Sequence, residues 1–291
     1  MKFGLAFASS IGIEGDAALD LCRRAEAAGF ESVWGGEHVV IPTTIDSPYP
    51  YTADGKAPVL PDTPIPDPLI WLAFVAAAAP TLRLGTCILI VPLRNPLVLA
   101  KEIATLDRLS AGRVELGIGV GWLREEFAAL DVPWEHRGAR NDEYIQAMRA
   151  LWAGPHAEFH GQFVDFQPVT CSPRPVQAAI PILVGGDTPA ALQRAARLAD
   201  GYFPGDTDPD KLRDLIHGLR IACEQIGRDP DEIEINAILG SSSAETPARL
   251  DRFAEIGVGR VMVPAFGFAG PGGFDRFSEF GAQIRAGGHL G

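Results

Sequence analysis

The chain has 291 residues, 47% of them hydrophobic and 21% charged, which fits a folded globular protein and excludes a disordered or fibrous one. Its net charge is −12, from 25 basic and 37 acidic residues, with no basic cluster, so nucleic acid and anionic membranes are poor partners. Any anionic ligand must then be held locally, by a few arginines or by free backbone N–H groups at a helix start.

In chain order, an apolar run over 2–7 predicts a first strand. Residues 16–28 space Ala18, Leu21, Cys22 and Ala25 as one helix face, with Gly29 as its C-cap. A second strand over 32–36 ends at Glu37 and His38. Residues 41–68 follow, with many prolines, Tyr49 and Tyr51, and no period; a loop this long is usually functional or disordered. A helix is expected over 67–79, a third strand over 83–91, a helix over 96–109 and a fourth strand over 114–120.

That strand–helix–strand unit implies parallel strands. Its ends carry Thr86-Cys87-Ile88 on one strand and Gly117, Gly119 and Gly121 on the other. Glycine weakens a strand unless something approaches its backbone or the barrel packs tightly there. A short segment with Trp122, Arg124, Glu125 and Glu126 leads to a helix over 140–152, then to hairpin and loop material over 155–180. The fifth strand, 181–186, runs into Gly185-Gly186-Asp187-Thr188-Pro189, whose free amides and hydroxyl suit a phosphate or simply cap the helix over 189–198. Strands over 200–203, 232–239 and 260–265 alternate with helices over 211–226, 247–256 and 273–284.

Eight strands, each followed by a helix, predict a (β/α)8 TIM barrel. A doubly wound sheet is the alternative, but the first turn lacks its glycine fingerprint. Catalytic groups of such a barrel sit at the C-terminal strand ends. Those ends hold no His-x-His metal pair and no Gly-x-Ser-x-Gly elbow, and no metal site is expected. Glu37 and Asp187 are too separate for a barrel hydrolase. The glycine-rich, apolar ends suit a large flat ligand lying against backbone, with His38 nearby; His38 is also readable as an ordinary loop histidine. Cys87, in an apolar run without a basic neighbour, reads as a small buried residue and not a nucleophile. The four cysteines show no CxxC spacing, so neither zinc nor a disulfide framework is suggested. The N-terminus lacks a secretory pattern, and Pro80 and Arg83 interrupt the longest apolar stretch, so a cytoplasmic location without a membrane span is expected.

Asp67-Pro68, LGTCIL, LRNP, LDRLSAGRVELGIGVGWLREEFAALDVPWEHRGARNDE and GGDTPAALQRAARLADGY, in this order, resemble the luciferase-like monooxygenase superfamily, and within it the coenzyme F420-dependent oxidoreductases. The resemblance spans nearly the whole chain and implies one TIM-barrel domain over 1–291, with insertions after strands two and four and before strand five. It further implies a non-prolyl cis peptide at Cys87–Ile88 against the deazaflavin ring. Phosphate and ribityl contacts would fall on Gly119, Val120, Gly121, Gly185 and Gly186, with Asp187 and Thr188 beside them and Arg137 and Arg140 as candidates for anionic groups. His38 would stand near the reactive ring carbon. Where sugar-phosphate dehydrogenases of this family carry a glutamate, this chain has Trp122, so that substrate class is not expected. Tyr49, Tyr51 and Trp122 are the expected substrate contacts. The reading is hydride transfer between coenzyme F420 and a small organic substrate, in a homodimer. An FMN-dependent monooxygenase of the same superfamily is the alternative, and a non-catalytic flavin-binding relative is a third reading.

Overall fold

The computed structural model describes residues 1–57, 59, 61–240 and 246–288. Its strands are β1 (Lys2–Ala6), β2 (Ser32–Gly35), β3 (Arg83–Thr86), β4 (Leu89–Ile90), β5 (Val114–Gly119), β6 (Ala157–His160), β7 (Asp165–Val169), β8 (Ile182–Gly185), β9 (Gly201–Phe203), β10 (Glu234–Ile238) and β11 (Arg260–Pro264). The helices are α1 (Gly15–Ala28), α2 (Pro68–Val75), α3 (Pro96–Leu109), α4 (Arg124–Ala129), α5 (Arg137–Ala153), α6 (Pro189–Leu198), α7 (Pro209–Gln225), α8 (Thr246–Glu255) and α9 (Gly273–Ala286).

All strands but β6 and β7 form one parallel sheet, ordered β3-β2-β1-β11-β10-β9-β8-β5-β4, and pairing of β3 with β5 closes it. The third barrel strand is broken: β3 and β4 are separate pieces that both pair with β5, joined through a cis Cys87–Ile88 bond. The closed eight-stranded (β/α)8 barrel expected from the alternation is therefore present, with one strand in two parts. Between β5 and α5 stands the short helix α4, and the antiparallel hairpin β6–β7 precedes β8. Gly121, expected inside the fourth strand, lies beyond its end: β5 stops at Gly119, and Gly121 takes a left-handed φ of 80°. α5 begins at Arg137 rather than 140, and α2 stops at Val75.

Local chemistry places these ends. Asp67 caps α2 by accepting from the Ile70 amide, Asn95 caps α3, and Thr188 caps α6 through the Ala191 amide, each with proline inside the first turn. The barrel interior is filled in layers. At the N-terminal end, Arg260 is buried with Glu115, Glu31, Glu234 and Asn236 around it. Above it Trp34 lies across the lumen, its indole N–H donating to Ser32 Oγ at 2.7 Å. A Cβ on Gly85 would collide with the Trp34 ring, which is why that strand position is glycine. Nearer the mouth, Ala6, Trp34, Cys87, Leu183, Phe203 and Met262 form a second apolar cluster, flanked by Phe7 and Ile88. No helix among the described residues is long and apolar enough to cross a membrane.

Candidate active site at the barrel mouth

The C-terminal mouth gathers most of the residues the sequence singles out. β2 ends in Gly35, and the chain then delivers Glu37 and His38 to opposite partners. Glu37 is buried; it accepts from the Ile90 amide and from the Arg94 guanidinium, whose Nε stands 2.8 Å away. Arg94 also binds Asp67 at 2.5 Å, so Glu37 and Arg94 tie down the far end of the long loop after β2. Glu37 is thus a structural ion-pair partner and not a companion of His38.

The carboxylate beside His38 comes from α4. His38 Nδ1 lies 2.8 Å from Glu126 Oε2. Glu126 is fully buried, and its Oε1 accepts from the amides of Val39 at 2.6 Å and Val40 at 3.3 Å. The preceding residue, Glu125, accepts from the amides of Asp46 and Ser47 at 3.0 Å and from the Ser47 hydroxyl at 2.7 Å. Although burial opposes it, these donors hold the Glu125 carboxyl below its ordinary value. Two adjacent acids of one short helix therefore fasten the start of the loop. Glu126 is the site residue that sequence reasoning missed; the available signal was a pair of acids in the first turn of a segment next to Trp122.

An aromatic chain lines the mouth. His38 meets Trp122 edge-on at 5.8 Å between ring centroids, Trp122 meets Tyr49 at 5.1 Å, and Tyr49 meets Tyr51 at 5.4 Å. Tyr51 closes over Gly205, where a Cβ would strike its ring, and reaches toward Gly186. Burial raises the pKa of both tyrosines, so both present O–H groups at neutral pH. The structure thus brings His38, Tyr49, Tyr51 and Trp122 into one continuous surface; Pro58 and Leu60, further along the same loop, lie outside the described residues.

The broken strand supplies the floor. A Cβ on Gly119 would collide with Ile88 Cδ1, and one on Gly185 would lie 3.3 Å from Ile88 Cγ2. The glycines at 119 and 185 therefore make room for the Ile88 side chain, and Gly117 makes room for the Thr86 carbonyl. Cys87 is buried, and burial pushes its thiol up to about 12, the Phe7 amide pulling weakly the other way. It stays a thiol, as the sequence suggests.

The polar side of the mouth is built from α5 and α6. Arg137 lies 3.6 Å over the Trp134 ring and donates from Nε to the Gly121 carbonyl at 3.1 Å. Burial first, then the neighbouring cations Arg140 and Arg194, lower its pKa. Arg194 is taken up by Asp142 and by the Gly138 carbonyl. Arg140 is buried and donates to the Pro133 carbonyl, but among the described residues its Nε has no partner, and neither end of the buried Asn141 amide has one. Among the described residues no carboxylate pairs with Arg137. Buried polar groups in native proteins rarely go unsatisfied, so this corner fits an anionic ligand group.

The strand-five turn is less open than its sequence suggests. Gly186 adopts φ 112° and its carbonyl accepts from the Tyr202 hydroxyl at 3.0 Å. Asp187 accepts from the Gly205 amide at 2.8 Å, and burial raises its pKa. The Thr188 hydroxyl serves as the helix cap, although such a hydroxyl can still donate its own hydrogen.

The luciferase-like monooxygenase family matches residues 1–280. An uncharacterized protein of Mycobacterium tuberculosis is 37% identical over 266 residues, 90% of this chain and 91% of its own length. The F420-dependent glucose-6-phosphate dehydrogenase of Kineococcus radiotolerans is 32% identical over 235 residues, 79% of this chain and 65% of that enzyme. The FMNH(2)-dependent dimethylsulfone monooxygenase of Pseudomonas putida is 32% identical over 159 residues, 53% of this chain and 44% of that enzyme. Among solved structures, the monooxygenase RslO1 from Streptomyces bottropensis superposes with a TM-score of 0.75 at 24% identity, covering 100% of this chain and 98% of its own, which bears on the fold alone.

Proposed function

Because this chain belongs to the luciferase-like monooxygenase family, we propose that it is an F420-dependent oxidoreductase moving a hydride to or from a small apolar or aromatic substrate. One observation carries the reading: a histidine, an apolar floor at Cys87–Ile88 and Arg137, which pairs with no carboxylate among the described residues, share one barrel mouth. A flat ring with an anionic tail fits that combination. The longer match to the F420-dependent relative, 79% of the chain against 53% for the FMN-dependent one, favours the deazaflavin.

Bound coenzyme F420 supplies two-electron hydride chemistry. The protein contributes the rest. Arg137, with Arg140 beside it, holds the phosphate-bearing side, joined by the O–H of Thr188 and the backbone at Gly121, Gly185 and Gly186. Ile88, seated over Gly119 and Gly185, and neighbouring Val120 support the ring. Asp187 positions the Gly205 segment on which Tyr51 rests. Tyr49, Tyr51 and Trp122 line the substrate space and exclude water. His38 holds or moves the proton at the reacting polar atom of the substrate through Nε2, which makes no hydrogen bond among the described residues. Trp122 leaves no carboxyl at the position where sugar-phosphate dehydrogenases of the family carry an acid, which argues against a sugar-phosphate substrate.

The same reading places the enzyme in the cytoplasm as a homodimer. On α2, Ile70 and Phe74 stand one turn apart and are 74% and 52% exposed, an apolar outer face suited to a second copy.

Titration with coenzyme F420 and with FMN, read by quenching of the five tryptophans, tests the cofactor. Micromolar binding of F420 is expected. Micromolar FMN binding with no F420 binding would favour the FMN-dependent monooxygenase instead.

A further inference from the structure

Glu126 divides its two oxygens between two tasks. Oε1 accepts from the Val39 and Val40 amides, and Oε2 faces His38 Nδ1 at 2.8 Å. The group is fully buried, and its fixed backbone partners are both donors. A carboxylate accepts at both ends, so a neutral imidazole facing Oε2 must carry its proton on Nδ1. Nε2 is then left as a bare acceptor.

We propose that Glu126 is a positioning residue that sets the tautomer of His38, and that it links this setting to the seating of the loop through the same carboxylate. The ring is fixed on its other side by the edge of Trp122 at 5.8 Å. His38 is therefore held in one ring orientation and one neutral tautomer while the loop is seated. Its Nε2 is the proton acceptor when substrate gives up hydride and a proton together, and the donor when the reaction runs in reverse. The catalytic half of this inference rests on the hydride-transfer reading; the tautomer half does not.

Glu126→Gln separates the two tasks. The Gln carbonyl oxygen satisfies the Val39 and Val40 amides, which keeps the loop in place. Its NH2 then faces His38 Nδ1 as a donor, which forces the proton onto Nε2. The experiment is a long-range 1H–15N spectrum of the full chain with labelled histidine, at alkaline pH where an ordinary imidazole (pKa about 6.5) is neutral. The His38 signals are identified by their loss in His38→Gln. Wild type is expected to show the proton on Nδ1, Glu126→Gln on Nε2, and Glu126→Asp on Nδ1 again. With F420 and substrate, Glu126→Gln should lower kcat by about 10²- to 10⁴-fold with KM nearly unchanged, the range for a misassigned catalytic proton, and Glu126→Asp should recover part of it.

A wild-type proton on Nε2 overturns the proposal, even if the Gln variant fails to fold. So does a Gln variant that keeps the Nδ1 proton. An inverted tautomer with unimpaired turnover overturns the catalytic half. Wild type with the Nδ1 proton but no F420 turnover counts against the cofactor reading and supports the tautomer assignment.

Discussion

Arg137 and His38 make opposite demands on the same mouth. Arg137 is a half-buried cation among cations, in a chain whose net charge is −12. A charge-assisted hydrogen bond to a phosphate contributes about 1.5–3 kcal/mol. Arg137→Met should therefore weaken cofactor binding by about 10- to 100-fold and flatten its salt dependence, both measurable by fluorescence titration. His38→Ala should leave cofactor binding close to wild type, lower Tm because the buried Glu126 Oε2 loses its partner, and reduce kcat by about 10²- to 10⁴-fold; unchanged turnover would remove His38 from the mechanism. His38 was legible as a site candidate because a strand end put it there. Glu126 was not, because its partner is 88 residues away and adjacency in sequence pointed to Glu37. Sequence spacing says nothing about which way two neighbouring side chains turn when one meets Arg94 and the other meets α4.

At the level of elements, the broken third strand and the six-residue helix α4 do most to shape the mouth. Gly119→Ala sets a Cβ against Ile88 Cδ1, so the isoleucine must move. Such overpacking costs about 1–3 kcal/mol, and a lower Tm together with weaker cofactor binding is the expected result. The clamp at Glu125 has a pH signature. Its carboxyl is held below the ordinary 4.5, so the ionised form stabilises the seated loop at all pH values above that range. The contribution falls away as pH drops through the lowered folded value. Protease cleavage in residues 41–57 should stay slow through the ordinary carboxylate range and rise below it, whereas Glu125→Gln should be cleaved faster at neutral pH as well. The long helices were readable from their periods. α4 was not, since six residues carry too little period to distinguish a helix from a turn. The β3–β4 break is equally silent in hydropathy, because both halves are apolar and it was the family resemblance that placed it.

Over the whole molecule, the barrel separates stability from chemistry. The Arg260 cluster lies at the N-terminal end, opposite the mouth. Breaking a buried ion pair by removing one partner costs about 3–5 kcal/mol. Arg260→Met should show that loss in chemical denaturation while cofactor affinity of the folded fraction stays the same. The proposed homodimer is checked by light scattering, with Phe74→Lys expected to give monomers. The alternation of eight strands and helices was legible because each step is local. The layering inside, with Trp34 across the lumen and glycine opposite it, was not, because it depends on which strands become neighbours when the sheet closes.

The stapled loop has a consequence for how such a protein changes over generations. Its near end is fixed by Glu125 and Glu126 and its far end by Arg94 and Asp67. Between them Tyr49 and Tyr51 pack on Trp122 and over Gly205, while the other described residues from 48 to 66 are exposed or half-buried. Apart from those two aromatics it can exchange residues, or length, without disturbing the barrel mouth below. A lineage built this way can take up new substrates by rewriting one cassette while its redox chemistry is inherited intact.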